Sequence, residues 1–155
     1  MDKTLPSLAK AVADIPDGAS VMIGGFGGSG APIELIHALI ERYLATGHPS
    51  RLTVINNNAG NGHVGLAALI EQGMVAKLIC SFPRSADPVV FTEMYLAGKI
   101  ALELVPQGTL AERIRAGGAG MPRPSIEGAL CVPAVELVQL LEPVDQGLDA
   151  DVVRQ

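Results

Sequence analysis

Glycine and uncharged amide side chains are the residues of this sequence whose spacing points to chemistry. Gly25, Gly27 and Gly30 form a G-x-G-x-x-G pattern between an apolar run and a helical segment. Such a loop can hold a phosphate with its backbone N–H groups, form a tight turn, or let a substrate approach closely. Dinucleotide binding is disfavoured, because the next apolar run ends in three asparagines where an acidic residue is expected.

Asn57, Asn58 and Gln107 are candidate hydrogen-bond donors. The two asparagines follow one apolar run, and Gln107 follows another. Amide N–H groups can stabilise a developing oxyanion without carrying charge. Each side chain could instead only cap the backbone of its own loop. The sequence leaves both interpretations open.

Charged and nucleophilic candidates are fewer. Arg84 could bind a carboxylate or phosphate through two hydrogen bonds, or lie solvated on the surface. His63 could act as a general base, but no paired acid is evident nearby. Glu34 fits the first turn of a helix, where the helix dipole favours a carboxylate. Cys80 and Cys131, with three scattered histidines, predict neither a disulfide framework nor a metal site.

Composition narrows the class of protein. The chain has 155 residues, 48% of them apolar and 17% charged, which favours a folded core over disorder. Lys and Arg number 11 against 16 Asp and Glu, and no basic stripe occurs, so a nucleic-acid partner is not expected. The amino-terminal residues lack an apolar signal region, and no apolar stretch is long enough for a membrane span. We expect a cytoplasmic protein.

Apolar runs and helical segments alternate along the chain. Strands are predicted at 21–23, 52–55, 75–80 and 101–105. Helices are predicted at 7–14, 33–46, 65–71, 89–96 and 109–116, the last with Thr109 and Glu112 as a capping box, and a short helical run at 135–141. This alternation predicts an α/β fold with a mostly parallel, doubly wound sheet and helices on both faces. The candidate loops would then converge at the carboxyl ends of the strands.

Three segments resemble one family. Residues 17–32, DGASVMIGGFGGSGAP, resemble the first signature of the family I coenzyme A transferases. Residues 57–60 and 106–120 resemble it too, so the similarity covers about residues 4–122 and is to the A (alpha) subunit of 3-oxoacid CoA-transferases. Residues 58–62, 80–84 and 97–100 look most like the 3-oxoadipate:succinyl-CoA type.

The resemblance implies a mechanism and a partner. In the family, a glutamate of the B (beta) subunit, in a Ser-Glu-Asn-Gly motif, attacks the acyl-CoA and carries CoA as a glutamyl thioester. None of the nine glutamates here precedes Asn-Gly, so no catalytic nucleophile is expected on this chain. CoA thioesters would be substrates, with no bound cofactor, in a hetero-oligomer. Asn57 or Asn58 and Gln107 would orient the glutamate or the acyl oxygen, and residues 25–30 would form the pocket wall.

The resemblance ends after Met121-Pro122. We therefore expect a CoA-transferase-like domain over 1–122 and a divergent tail over 123–155, which makes the chain look truncated. One alternative is the same chemistry acting on acetoacetate, with succinyl-CoA or acetyl-CoA as donor. An alternative of another class is a truncated, non-catalytic protein that only binds a partner.

Overall fold

Short apolar runs form a parallel sheet, and the periodic segments between them form helices. The computed structural model describes residues 5–26 and 28–120 and the backbone of Val135–Glu136. The elements are α1 (Leu8–Ala11), β1 (Ser20–Met22), α2 (Ile33–Thr46), β2 (Leu52–Ile55), α3 (Leu66–Glu71), β3 (Val75–Cys80), α4 (Val89–Leu96), β4 (Ala101–Leu104), α5 (Gln107–Gly118) and β5 (Val135–Glu136). The strands lie in the order β4-β3-β2-β1-β5, and every pair is parallel.

Each face of the sheet packs against helices. Successive strand residues point to opposite faces. Val54 and Leu78 belong to the larger core, which also contains the buried side chains of α2, α3 and α4. Their neighbours Ile55 and Ile79 pack instead with Leu110 of α5. Helices therefore cover both faces, and the predicted α/β class and parallel sheet are confirmed.

Helix α2 has the bounds that the sequence predicts. Pro32 precedes its first turn, and Gly47 ends it in the left-handed region at φ 75°, with its N–H bonded to the Tyr43 carbonyl at 2.7 Å. The Arg42 guanidinium ties this helix to the end of α1 by donating to the Val12 and Ile15 carbonyls, at 2.5 and 2.9 Å. No helix within the described ranges has the length and apolar character that crossing a membrane requires.

Helix α5 begins two residues before the predicted cap. It starts at Gln107 behind Pro106, whose carbonyl accepts from Leu110 N at 2.8 Å. The capping box predicted from Thr109 and Glu112 is wrong, because both residues lie inside the helix and no side chain caps its start. Glu112 pairs with Arg115 one turn later.

The helical run predicted at 135–141 is also corrected. Val135 and Glu136 form β5, which pairs in parallel with β1 through the register Val21↔Val135. A short apolar run has the same local pattern in a buried strand and in a buried helix, so only the neighbouring strand decides between them. The rest of the predicted tail lies outside the described residues.

Glu103 joins α5 to the sheet and gives a testable pH dependence. Its carboxylate lies 2.6 Å from Lys77 Nζ of β3 and 2.8 Å from Arg113 Nη1 of α5. The Lys77 ammonium and the Arg113 guanidinium lower the pKa of Glu103, against the opposing effect of its partial burial. We expect Glu103→Gln to lower the Tm at pH 7 by about 1 to 3 °C, measured by thermal denaturation.

The sign of this effect fixes its pH window. A lowered pKa in the folded state means that the contribution is present above the unfolded pKa and disappears as the pH falls below about 4. The Tm values of wild type and Glu103→Gln should therefore converge in acid. Glu112→Gln is the matched control. It breaks the exposed pair of Glu112 with Arg115 within α5, and it should change the Tm by less than about 1 °C. An equal loss of Tm in both variants would contradict this role of Glu103. A Tm difference between wild type and Glu103→Gln that persists in acid would contradict it as well.

Candidate active site

The loops that follow the strands meet at one edge of the sheet. Strand order reverses at β1, because β2 lies on one side of it and β5 on the other. In open α/β sheets, ligands bind at such a reversal point, outside the carboxyl ends of the strands. Phe82 N donates to the Asn57 carbonyl at 2.9 Å, and the Ser81 hydroxyl contacts the Gln107 amide. The predicted convergence of these loops is therefore present in the structure.

Three consecutive asparagines after β2 have two different roles. Asn56 is buried, donates from Nδ2 to the Ile23 carbonyl at 2.6 Å, and accepts from Asn58 N at 2.9 Å. Asn58 accepts from Gly60 N at 2.7 Å and donates from Nδ2 to Asn57 Oδ1 at 2.8 Å. These two side chains hold the loop together. Among the described residues, Asn57 Nδ2 has no hydrogen-bond partner, so it is a donor available to a ligand.

Two cavities share a border formed by Asn57 and Gln107. The larger, of about 610 Å³, has the lining residues Phe26, Asn57, Asn58, Asn61, Ser81, Phe82, Ser85, Ala86 and Gln107. The smaller, of about 340 Å³, lies between the sheet and α5, and its lining includes Gly25 and Leu110. In the part of the chain that the structure describes, neither lining contains a carboxylate, a thiol or an imidazole. The site offers amide donors, two serine hydroxyls and apolar surface.

The amino terminus of α5 adds a favourable potential at this border. Gln107 is the first residue of this 12-residue helix. The first N–H groups of a helix have no partner within it, and the aligned peptide dipoles favour negative charge there. An oxyanion beside the Gln107 side chain would therefore lie close to a region of partial positive charge.

The glycine loop forms a tight turn and a cavity wall. Phe26 and Ser29 exchange backbone hydrogen bonds of 2.9 and 3.0 Å, so their N–H groups are not available to a phosphate. Gly25 has φ 108°, and a Cβ there would lie 2.9 Å from Ala31 N. Gly25 lines the smaller cavity, whereas Gly30 lines neither cavity. Gly27 lies outside the described residues.

The other sequence candidates lie outside the two cavities. Arg84 is exposed in the loop after β3 and lines neither of them. His63 does have an acidic partner, since its Nδ1 lies 2.9 Å from Glu71 Oε1, which corrects the sequence interpretation. Burial raises the pKa of the Cys80 thiol to about 11, as expected for a buried strand residue. No cluster of three or more His, Cys, Asp or Glu side chains that could hold a metal occurs in the described ranges.

Sequence reasoning missed Ser81 and Phe82, and it included Phe26 only as part of the loop at residues 25–30. Ser81 contacts both the Asn57 carbonyl, at 3.0 Å, and the Gln107 amide. Phe26 and Phe82, 79% and 63% exposed, line the larger cavity. The signal that could have found Ser81 and Phe82 is their position as the first two residues after β3, the positions that Asn56 and Asn57 have after β2.

The amino-acid sequence of this chain is similar to those of known proteins. Residues 5–131 match the family model described as Coenzyme A transferase. The chain is 57% identical over 121 residues to the A (alpha) subunit of the 3-oxoadipate CoA-transferase of Pseudomonas putida, which covers 78% of this chain and 50% of the relative. It is 41% identical over 122 residues to the A (alpha) subunit of a probable succinyl-CoA:3-ketoacid coenzyme A transferase of Mycobacterium bovis, covering 79% of this chain and 46% of the relative.

A solved structure shows the same architecture. The acyl-CoA transferase YdiF of Escherichia coli O157:H7, in its thioester complex with CoA, superposes with a TM-score of 0.64 at 27% identity. The match covers 77% of this chain and 23% of YdiF. The chain spans about half the length of the curated relatives it matches.

Proposed function

Because this chain belongs to the coenzyme A transferase family, we propose that it works as the A (alpha) subunit of a 3-oxoacid CoA-transferase. The proposed reaction moves CoA between succinyl-CoA and 3-oxoadipate. The observation that carries the proposal is a cavity edge that has amide donors and, among the described residues, no carboxylate to act as the nucleophile. The higher identity to a 3-oxoadipate enzyme, 57% against 41%, supports this choice of acceptor. We also propose a cytoplasmic location, because acyl-CoA thioesters are intracellular metabolites.

The proposed chemistry is covalent transfer through a partner's glutamate. Its carboxylate attacks the succinyl thioester carbonyl, which forms a mixed anhydride and releases CoA thiolate. The thiolate attacks the glutamyl carbonyl, which forms a glutamyl-CoA thioester and releases succinate. The carboxylate of 3-oxoadipate then attacks this thioester, and the same two steps in reverse give 3-oxoadipyl-CoA and the free glutamate.

This chain would stabilise the negative charge of each tetrahedral intermediate. Asn57 Nδ2 and the Gln107 amide line the same two cavities, and α5 begins at Gln107. Fixed donors of this kind act where charge develops and need no reorganisation during the reaction. We assign the oxyanion contact to these two side chains.

A separate B (beta) subunit is the partner that this mechanism requires. The matched segment makes up 50% of the relative from Pseudomonas putida but 23% of YdiF, so YdiF carries far more sequence in one chain. We propose that the B subunit supplies the corresponding portion, including the glutamate. The exposed rings of Phe26 and Phe82 offer apolar surface for that contact beside the cavity.

Arg84 would recognise the second carboxylate of 3-oxoadipate, which acetoacetate lacks. It lies between Phe82 and Ser85, which line the larger cavity. We expect Arg84→Ala to raise the KM for 3-oxoadipate about tenfold, because a charge-assisted hydrogen bond is lost, and to leave the KM for acetoacetate unchanged. Steady-state assays with both acids test this, with Lys99→Ala as a control cation before β4 at the opposite edge of the sheet. A parallel rise for both acids would contradict the assignment.

Co-purification with a B subunit tests the function itself. The chain would be co-expressed with the B subunit, and the complex assayed with succinyl-CoA and either 3-oxoadipate or acetoacetate. We expect a stable complex and faster transfer to 3-oxoadipate. Faster transfer to acetoacetate would favour the succinyl-CoA:3-ketoacid alternative, and a complex without transfer would favour the non-catalytic one.

A further inference from the structure

Ser81 lies between the two proposed oxyanion donors and contacts the residues of both. Its hydroxyl lies 3.0 Å from the Asn57 carbonyl oxygen and also contacts Gln107 Oε1. Both of these atoms accept hydrogen bonds, whereas a serine hydroxyl has a single proton to donate. The two contacts therefore cannot both be donated bonds at the same time.

The backbone settles which acceptor receives the proton. The Asn57 carbonyl already accepts from Phe82 N at 2.9 Å and from Ser81 N at 3.3 Å. A carbonyl oxygen has two lone pairs, and these two N–H groups use both. The Ser81 hydroxyl is therefore left to donate to Gln107 Oε1.

This choice fixes the Gln107 amide. With Oε1 held by Ser81, the N–H groups on Nε2 are left for the cavities, and Nε2 has no hydrogen-bond partner among the described residues. The reversed amide would place an oxygen there, which would repel an oxyanion. We propose that Ser81 is a positioning residue that orients the Gln107 amide as a donor, an inference that rests on the proposed function.

Transfer kinetics of the complex with the B subunit test this role. We expect Ser81→Ala to lower kcat about tenfold with little change in the KM for succinyl-CoA, and Ser81→Thr, which keeps the hydroxyl, to restore most of the loss. Because Ser81 acts through Gln107, adding Ser81→Ala to Gln107→Ala should cause no further loss. An unchanged kcat, no rescue by threonine, or an equal loss in the Gln107→Ala background would overturn the proposal.

Ser85 provides a matched control. It lines the same cavity, but its hydroxyl donates to the Gly60 carbonyl. Whatever loss Ser85→Ala causes should be the same with and without Gln107→Ala, because the two side chains are not bonded. If the loss of kcat from Ser85→Ala also disappeared in the Gln107→Ala background, as expected for Ser81→Ala, a specific link between Ser81 and Gln107 would be contradicted.

A second measurement tests the hydrogen bond between Ser81 and Gln107 without relying on the proposed reaction. The side-chain amide of Gln107 can be followed by ¹⁵N NMR relaxation, with its signal assigned by its loss in Gln107→Ala. We expect an ordered amide in the wild type and a mobile one in Ser81→Ala. An amide that is mobile in the wild type, or equally ordered in both, would overturn the inference. If the wild-type complex transfers no CoA while these NMR differences are observed, the proposed function fails and the assigned hydrogen bond stands.

Discussion

Replacing Gln107 with alanine should lower the kcat of CoA transfer by about 100-fold, the effect expected for loss of one oxyanion donor. Gln107 borders both cavities at the start of α5, where its amide and the helix dipole act on the same charge. Its side chain is exposed and lies outside both cores, so the Tm should change by less than about 1 °C. The measurement is kcat for succinyl-CoA and 3-oxoadipate with the B subunit present.

Gln72→Ala is the matched control for this substitution. It removes the same side chain from an exposed position at the end of α3. We expect wild-type kcat in that variant. If Gln107→Ala also retains wild-type kcat in an active complex, the oxyanion assignment is wrong; a fall of several degrees in its Tm would instead point to a structural role.

Gly60→Ala should destabilise the fold by about 2 to 4 kcal/mol, a large effect for the addition of one methyl group. Gly60 has φ 84°, and a Cβ at this position would lie 2.5 Å from the backbone nitrogen of Ala67. That nitrogen belongs to α3, so this helix and the loop that carries Gly60 would have to separate. Chemical denaturation gives the unfolding free energy directly.

Gly73→Ala separates the two causes of this loss. Gly73 has φ 73°, close to that of Gly60, but no atom lies within 4 Å of a Cβ built there. We expect about 1 kcal/mol of destabilisation, from the left-handed backbone alone. Equal losses at the two positions would mean that the contact with Ala67 does not matter.

The local sequence pattern was sufficient to predict the bounds of those strands and helices whose ends are marked by turn residues. Strands β2 and β3 have the predicted bounds because each is a short apolar run between turn residues. Helix α2 has them because Pro32 and Gly47 mark its ends. The parallel direction of the strands could be predicted from the alternation of strands and helices along the chain.

Other features depend on partners that are distant in sequence. The pairing of β5 with β1 is decided by the neighbouring strand, and the pairing of His63 with Glu71 depends on how their loop and α3 fold together. The different roles of Asn56, Asn57 and Asn58 depend on which of the three side chains is buried. The location of Asn57 and Gln107 at the same end of the sheet could be predicted from topology. The position of the Ser81 hydroxyl between them could not, because it depends on side-chain placement.

In the proposed complex, this chain builds the pocket and the partner carries the nucleophile. Intact-mass spectrometry of both chains, after the complex has been incubated with succinyl-CoA and no acceptor acid, tests it most directly. We expect the B subunit to gain the mass of CoA less one water, as a glutamyl thioester, and this chain to keep its own mass. A CoA adduct on this chain, or none on either chain of the complex, would contradict it.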